Sequence, residues 1–216
     1  MPMLATRRKT PRSRGVLRRA RLLDAAWSLL ADHDLGALSL VDVAARARVP
    51  VGSAYHYYED IREVYEALAA RVAAQLLERH EAPLRRRPRR WANVVEELID
   101  RGVAYFTAQP AAARLLIGPQ TPPLLKFRDR ERDRVLAQVF AAQIDAHFEL
   151  PRFPGRPAVF FRALEIADLM LSLAMVEHGR ITAAMTAEAK RACIAYLGSY
   201  LPQALPRRRA TVNRCR

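Results

Sequence analysis

Four consecutive ring side chains, Tyr55, His56, Tyr57 and Tyr58, follow the small or apolar run Val51-Gly52-Ser53-Ala54. Successive residues of a helix advance by about 100°, so four rings in a row cannot share one buried face and at least two point outward. Exposed hydroxyls and an imidazole on flat apolar rings suit phosphate contacts, with ring faces against sugars, which set a protein's register on a duplex. Tyr58 is assigned to the core, and Tyr55, His56 and Tyr57 to such contacts. Gly52 lets the backbone approach a nucleic acid closely, and Ser53 offers a hydroxyl to a base edge or phosphate. Pro50 and Val51 leave the start of this segment poor in hydrogen-bonding groups, which favours reading thymine methyl groups. Arg48, just before it, is a candidate phosphate ligand.

Catalytic chemistry finds little to work with. The sequence has no G-x-G-x-x-G, P-loop, G-x-S-x-G or H-E-x-x-H, and its five histidines are scattered with no helical i, i+4 pair. Its two cysteines, Cys193 and Cys215, have no metal-ligand spacing and are too few for a disulfide framework. No enzyme, metal or cofactor is expected. No apolar stretch reaches the eighteen or so residues of a membrane span and no secretory signal opens the chain, so a cytoplasmic location without a membrane partner is expected.

The elements that hold the rings are helical. Apolar residues recur at steps of three and four nearly throughout the 216 residues, with only eight glycines and no sustained alternation. About nine helices of an all-α protein are predicted. The first runs from about 14 to 32 on a stripe of Val16, Ala20, Leu23, Trp27 and Leu30. Ser39 with Asp42 forms a capping-box-like start for a short second helix, and Ser39 is also placed among the candidate phosphate contacts. Pro50 fits the first turn of a short third helix, where its missing N–H costs nothing. Asp60 caps a fourth that reaches about 81. Further helices are predicted at 91 to about 109, 111–117, 124–149, 157–178 and 186–201.

The charge is unevenly placed. Of the formal +14, eight basic residues without an acid lie in 1–21, including Arg18, Arg19 and Arg21, and five arginines without an acid lie in 207–216. Residues 22–62 hold three arginines against six acids. A near-neutral body with a basic arm points to a polyanion, either nucleic acid or an acidic membrane surface, and affinity for DNA would lean on the arm. Residues 1–14 are expected to be a disordered basic arm and 207–216 a basic tail.

Two short helices separated by a tight turn and buttressed by longer ones have the proportions of a helix-turn-helix. Ser39, Asp42-Val43-Ala44, Val49, Gly52, Tyr55 and Tyr57-Tyr58 make residues 18–68, about a quarter of the chain, similar to the DNA-binding segment of the TetR family of bacterial regulators. Three positions depart from that pattern. Arg48 stands where the family usually has a turn glycine, Pro50 replaces the usual Ser cap, and Ile61 stands where many relatives carry a phosphate-binding Lys, a role Arg62 takes here. The resemblance implies a helix-turn-helix DNA-binding domain over 15–68 and a ligand-binding and dimerisation domain over 69–206. It also implies a homodimer on a double-stranded operator, acting as a repressor released by a small apolar effector. Trp91, Phe106, Leu116, Phe140 and Met170 are the candidate pocket. Ala163, Ala167, Leu171 and Ala174, with Tyr196 and Tyr200, are the candidate dimer face. Glu165 and Asp168 are candidates for buried ligand-reading acids, but with Arg162 as an ordinary ion-pair partner they are read as a solvated or interface stripe. The rival reading is a non-inducible helical architectural or interaction protein that binds DNA through its tails, for which a fully packed second domain is expected.

Overall fold

The computed structural model describes residues 11–208, with side chains from residue 15 onward. Among the described residues there are nine α-helices and no strand, only an isolated bridge between Phe148 and Arg207. The chain divides into two compact units, one ending at Leu68 and the other starting at Ala69.

The first unit contains α1 (Pro11–Asp32), a 3-10 turn (Leu35–Ala37), α2 (Leu40–Ala47), α3 (Val51–Tyr57) and the opening turns of α4 (Ile61–Glu81). Pro11 presets the dihedral of a first helical turn, so α1 begins earlier than periodicity predicts and takes in residues 11–14. The remainder of the basic arm lies outside the described residues. The buried stripe of α1 is Leu22, Ala25, Ala26 and Leu30, whereas Val16 and Ala20 are exposed. Those two sit some 80° to 120° around the helix from Ala26, off the covered face. Asp60 caps α4 as expected, accepting from the amides of Arg62 at 2.8 Å and Glu63 at 3.1 Å. Tyr65 of α4 donates its hydroxyl to the carbonyl of Leu35 at 2.7 Å. Burial pushes that phenol up to about 12, so it stays a donor at any physiological pH.

The second unit takes the rest of α4, then α5 (Trp91–Ala108), α6 (Pro110–Leu116), α7 (Pro123–Asp145), α8 (Arg156–His178) and α9 (Ala183–Gly198). Buried Arg101 of α5 donates to the carbonyls of Arg79, Ala82 and Pro83 at 2.6 to 2.8 Å and to Glu97 at 2.7 Å. A cation thus satisfies orphan carbonyls at the C-terminal end of α4. At Gly118 any side chain would collide with the Arg114 carbonyl at 2.5 Å, which makes the close turn after α6 possible only with glycine.

Helix α7 ends four residues before the predicted 149, because the chain beyond it pairs with the C-terminal segment. Glu149 donates to the Pro206 carbonyl at 2.8 Å and Arg208 to that of His147 at 3.0 Å. Arg207 donates to the carbonyls of Pro88 and Arg89 at 3.1 and 3.3 Å, and Arg208 pairs with Asp145 at 2.7 Å. The first two arginines of the expected tail are therefore fastened to the second unit, and only the residues after 208 lie outside the described ones. Helix α9 starts three residues early, where Thr182 caps it by accepting from the Met185 amide at 3.2 Å. Cys193 is buried and its thiol is pushed up to about 12, which leaves it an inert core residue; Cys215 lies outside the described residues.

The Tyr65–Leu35 bond anchors the loop before α2, and Leu35 is buried. Tyr65→Phe is expected to cost about 0.5 to 1.5 kcal/mol in urea unfolding, because it removes the shorter of that carbonyl's two bonds and leaves only the Leu38 amide at 3.4 Å. A loss under about 0.3 kcal/mol would show that the loop is held by packing alone.

Candidate nucleic-acid interface and apolar cavity

The turn between α2 and α3 is built from backbone hydrogen bonds around a single left-handed residue. Arg48 has φ 54° and ψ 44°. Its amide donates to Ala45 at 3.1 Å, and the next amide, Val49, reaches back to Ala44 at 3.0 Å. This pair of bonds is a Schellman closure, and a non-glycine residue in it costs roughly 1 kcal/mol. Pro50 is the N-cap of α3 rather than part of its first turn, since its backbone is extended at ψ 136°. Its carbonyl accepts from Ser53 at 2.8 Å and Ala54 at 3.1 Å.

Helix α3 then sorts its side chains as the angular argument requires. Ala54 and Tyr58 are buried, Tyr58 at 2% exposure, while Val51, Gly52, Tyr55 and His56 form one exposed strip, with Tyr55 at 50%. Ser53 and Tyr57 are half-buried. The Tyr57 ring lies edge-on to His56 at 5.4 Å between centroids. Space at Gly52 is open, with no atom within 4 Å of where a Cβ would stand. The fold itself therefore does not demand a glycine there.

Several arginines are divided between structure and surface. Arg18 and Arg48 are exposed. Arg19 donates to the Tyr58 hydroxyl at 3.2 Å with its guanidinium 5.2 Å from that ring's centroid, so it supports the core tyrosine as well as facing solvent. Arg62 pairs with Asp60 at 2.8 Å, an exposed ion pair that leaves it on the surface. Ser39 is spent on its helix: its hydroxyl donates to the Asp42 carboxylate at 2.5 Å, and Asp42's amide donates back to it at 3.3 Å. Those bonds and the Ser39 amide hold the Asp42 carboxyl below its ordinary value. Ser39 has no proton left for a phosphate, which corrects its place among the contacts. The sequence pattern overlooked Arg46. It donates to Ser28 at 3.0 Å and lines, with Arg21 and Arg48, a polar hollow between α1 and the end of α2. Three guanidinium groups against the one carboxylate of Asp24 leave the hollow net positive, with the charge to seat a phosphate.

The second unit encloses a cavity of about 310 Å³. Leu77, Leu98, Ile99, Phe106, Leu136 and Phe140 supply much of its apolar wall, and Leu116 also lines it. Of the predicted pocket residues, Trp91 and Met170 are absent from the lining. Trp91 is buried elsewhere, its indole N–H donating to the Pro202 carbonyl at 2.9 Å. Polar groups missed by the apolar pattern, Asp129, Arg132, Asp133 and His80, enter the same cavity, as does Asp168, the less favoured ligand-reading candidate. Asp168 is not part of a solvated stripe: it accepts from Lys126 at 2.5 Å, while Glu165 accepts from Arg130 at 2.8 Å rather than from Arg162. His80 presents both ring nitrogens to carbonyls, those of Leu76 at 2.6 Å and Leu98 at 3.0 Å, and burial lowers its pKa below the ordinary value.

Ala163, Ala167, Leu171 and Ala174 are buried within the single chain, so their small size serves packing inside the second unit and not approach by a partner. The outward face of α8 instead carries Ile166, Leu169, Leu173 and Val176, with Leu169 at 52% and Val176 at 61% exposure. Tyr200 is exposed and Tyr196 half-buried, their rings 5.5 Å apart.

Residues 22–68 match the model of the bacterial regulatory proteins of the tetR family, and residues 89–200 match that of the tetracyclin repressor-like C-terminal domain. The chain belongs to the TetR family. A crystal structure of a TetR-family transcriptional regulator from Streptomyces coelicolor is 26% identical with a TM-score of 0.65, covering 86% of this chain and 98% of that one. A TetR transcriptional regulator from Rhodococcus sp. RHA1 is 19% identical, TM-score 0.62, over 84% and 96% of the two chains. The fatty acid degradation regulator FadR from Bacillus halodurans is 16% identical, TM-score 0.58, over 89% and 97%; these last two share the fold. No curated protein matches the sequence. The protein is thus a DNA-binding transcriptional regulator whose first unit carries the helix-turn-helix, and no described helix is long and apolar enough to cross a membrane.

Because the backbone leaves Gly52 open, Gly52→Ala in this TetR-family regulator should leave stability unchanged or raise it by up to about 1 kcal/mol through helix propensity. The same change should weaken DNA binding at least severalfold, as should Tyr55→Ala, whose lost contact is worth on the order of 1 to 3 kcal/mol. Thermal melts and electrophoretic mobility shifts read the two effects separately. Full DNA affinity in both variants would remove the Gly52–Tyr55 strip from the interface.

Proposed function

We propose that the protein is a dimeric repressor that a small, largely apolar effector releases from its operator. The observation that carries the effector is the apolar cavity of about 310 Å³ in the second unit, a volume at the lower end of small-molecule sites. A non-inducible architectural protein would be expected to fill such a space with side chains. On the DNA side, the exposed strip Val51, Gly52, Tyr55 and His56 enters a major groove, Ser53 and Tyr57 flank it, and Arg18, Arg48 and the Arg21–Arg46 hollow bind phosphates.

The dimer is assigned to the outward face of α8 with Tyr196 and Tyr200 of α9. A two-fold interface presents the same patch on both copies and for a stable dimer buries more than about 1,000 Å² in total. Exposed Leu169 and Val176 give that face an apolar centre. A dimer reads half-sites about 34 to 36 Å apart, so a shift of a few Å between its reading helices undoes simultaneous docking. To loosen operator binding 100-fold, an effector must prefer the DNA-incompetent state by the same factor, about 2.7 kcal/mol.

Selection of bound duplexes from a random pool tests the reading. An inverted repeat with half-sites one helical turn, or a multiple of it, apart is expected. Leu169→Asp should turn the dimer into a monomer by sedimentation at micromolar concentration and abolish binding to the full repeat. A wild-type monomer, or selected DNA without two-fold symmetry, would contradict the proposal.

A further inference from the structure

The effector cavity is apolar in most of its wall but has a charged end, and the sign of that end selects the ligand. Asp129 and Asp133 are four residues apart on α7, so their side chains lie on the same face of the helix, and both line the cavity. Asp129 is only 5% exposed, yet the one ion-pair contact of its carboxylate, with Arg132, is at 4.0 Å, beyond hydrogen-bonding distance, while the charge of Lys126 also acts on it. Asp133 accepts no hydrogen bond and forms no ion pair. Asp168, the third carboxylate of the lining, is matched by Lys126 at 2.5 Å. Three carboxylates therefore face two cations at this end, Lys126 and Arg132. A buried carboxylate without a donor is costly, and what Asp129 and the half-buried Asp133 beside it lack is a donor carrying positive charge.

We infer that the cavity takes a lipophilic ammonium ion, an amine on an alkyl or aryl body, with its charged nitrogen between Asp129 and Asp133 and its apolar body along Leu98, Phe106 and Phe140. This rests on the reading of the cavity as an effector site and names the ligand class it selects. A fatty carboxylate would bring a like charge against the same acids, and a neutral alcohol would offer one weak donor. A bare metal ion does not suit the place either: among the described residues no group of three or more His, Cys, Asp or Glu is arranged to hold one, and most of the wall is apolar.

The titration behaviour agrees. Burial first, then the charges of Asp129 and Asp168, holds the Asp133 carboxyl well above the carboxylate range. Burial raises Asp129 too, against the pull of Lys126 and with the push of Asp168. The other titratable group of the lining, His80 on α4, is pushed toward its neutral form by burial and by the charges of Arg101 and Arg79. Glu165 on α8 adds to the push on both aspartates, which leaves Asp129 at about 6 and Asp133 at about 9; an arriving ammonium reverses the balance and drives protons off them, so binding should release protons between about pH 6 and 9.

Isothermal titration of the full chain with decylamine, decanol and decanoate, three probes of equal length and opposite or no charge, tests the inference. Decylamine should bind at least 10-fold tighter than either of the others. Its heat should vary with the ionisation enthalpy of the buffer as a proton is released. Asp133→Asn and Asp129→Asn should each cut the preference for amine over decanol to within about 3-fold, while Asp133→Glu should keep it. Thermal melts of each variant show that it is folded. Decanol or decanoate binding as tightly as the amine, or an undiminished amine preference in both Asn variants, overturns the ammonium assignment and leaves an apolar effector standing. Failure of all three probes to bind and to loosen operator DNA removes the effector reading together with it.

Discussion

The direction of α3 is decided at Arg48. Helix α2 is fixed from its front by the reciprocal Ser39–Asp42 cap and at its back by two amides that fold onto Ala45 and Ala44. That closure requires one residue in the left-handed region, where a side chain costs about 1 kcal/mol and glycine costs nothing. The chain keeps an arginine there, and its guanidinium lies with those of Arg21 and Arg46 along one hollow. A strained residue whose side chain stands where an anion would be seated is the pattern expected of a site that trades stability for binding. From that turn the rest follows: Val49 is buried, Pro50 starts α3, Ala54 and Tyr58 turn inward, and the strip Val51-Gly52-Tyr55-His56 is left outside.

Most of the first unit was legible in the sequence because its signals are local. The cap at Ser39, the limit at Pro50 and the 100° step that separates Tyr55 from Tyr58 involve neighbours within four residues. What local patterns could not give were contacts across the chain. Arg19 is shared with Tyr58 across 39 positions, and Arg46 gains its place in the hollow only when α2 packs on α1. The stripe of Val16 and Ala20 misled for a related reason, since helical periodicity reports a face without saying whether anything covers it.

The second unit was harder to read, and its errors share one cause. Small residues on α8 suggested close approach by a partner, but Ala163, Ala167 and Ala174 face inward and the larger Leu169 and Val176 face solvent. Phe106, Leu116 and Phe140 were legible as cavity walls through their bulk, whereas Trp91 of similar character packs elsewhere. Asp129 and Asp133 were missed, and Asp168 set down as a solvated stripe, because they stand on two helices among ordinary charges and only the fold places them on one cavity. Charge that reads as a solvated face in one dimension becomes an electrostatic constraint on a ligand in three.

The account turns on α3 as the surface that meets DNA, and a backbone amide titration of the isotopically labelled protein with its selected duplex tests that most directly. The largest shifts are expected at residues 46–57, with small changes over the helices at 156–198. Shifts concentrated on those later helices, with residues 46–57 undisturbed, would contradict it.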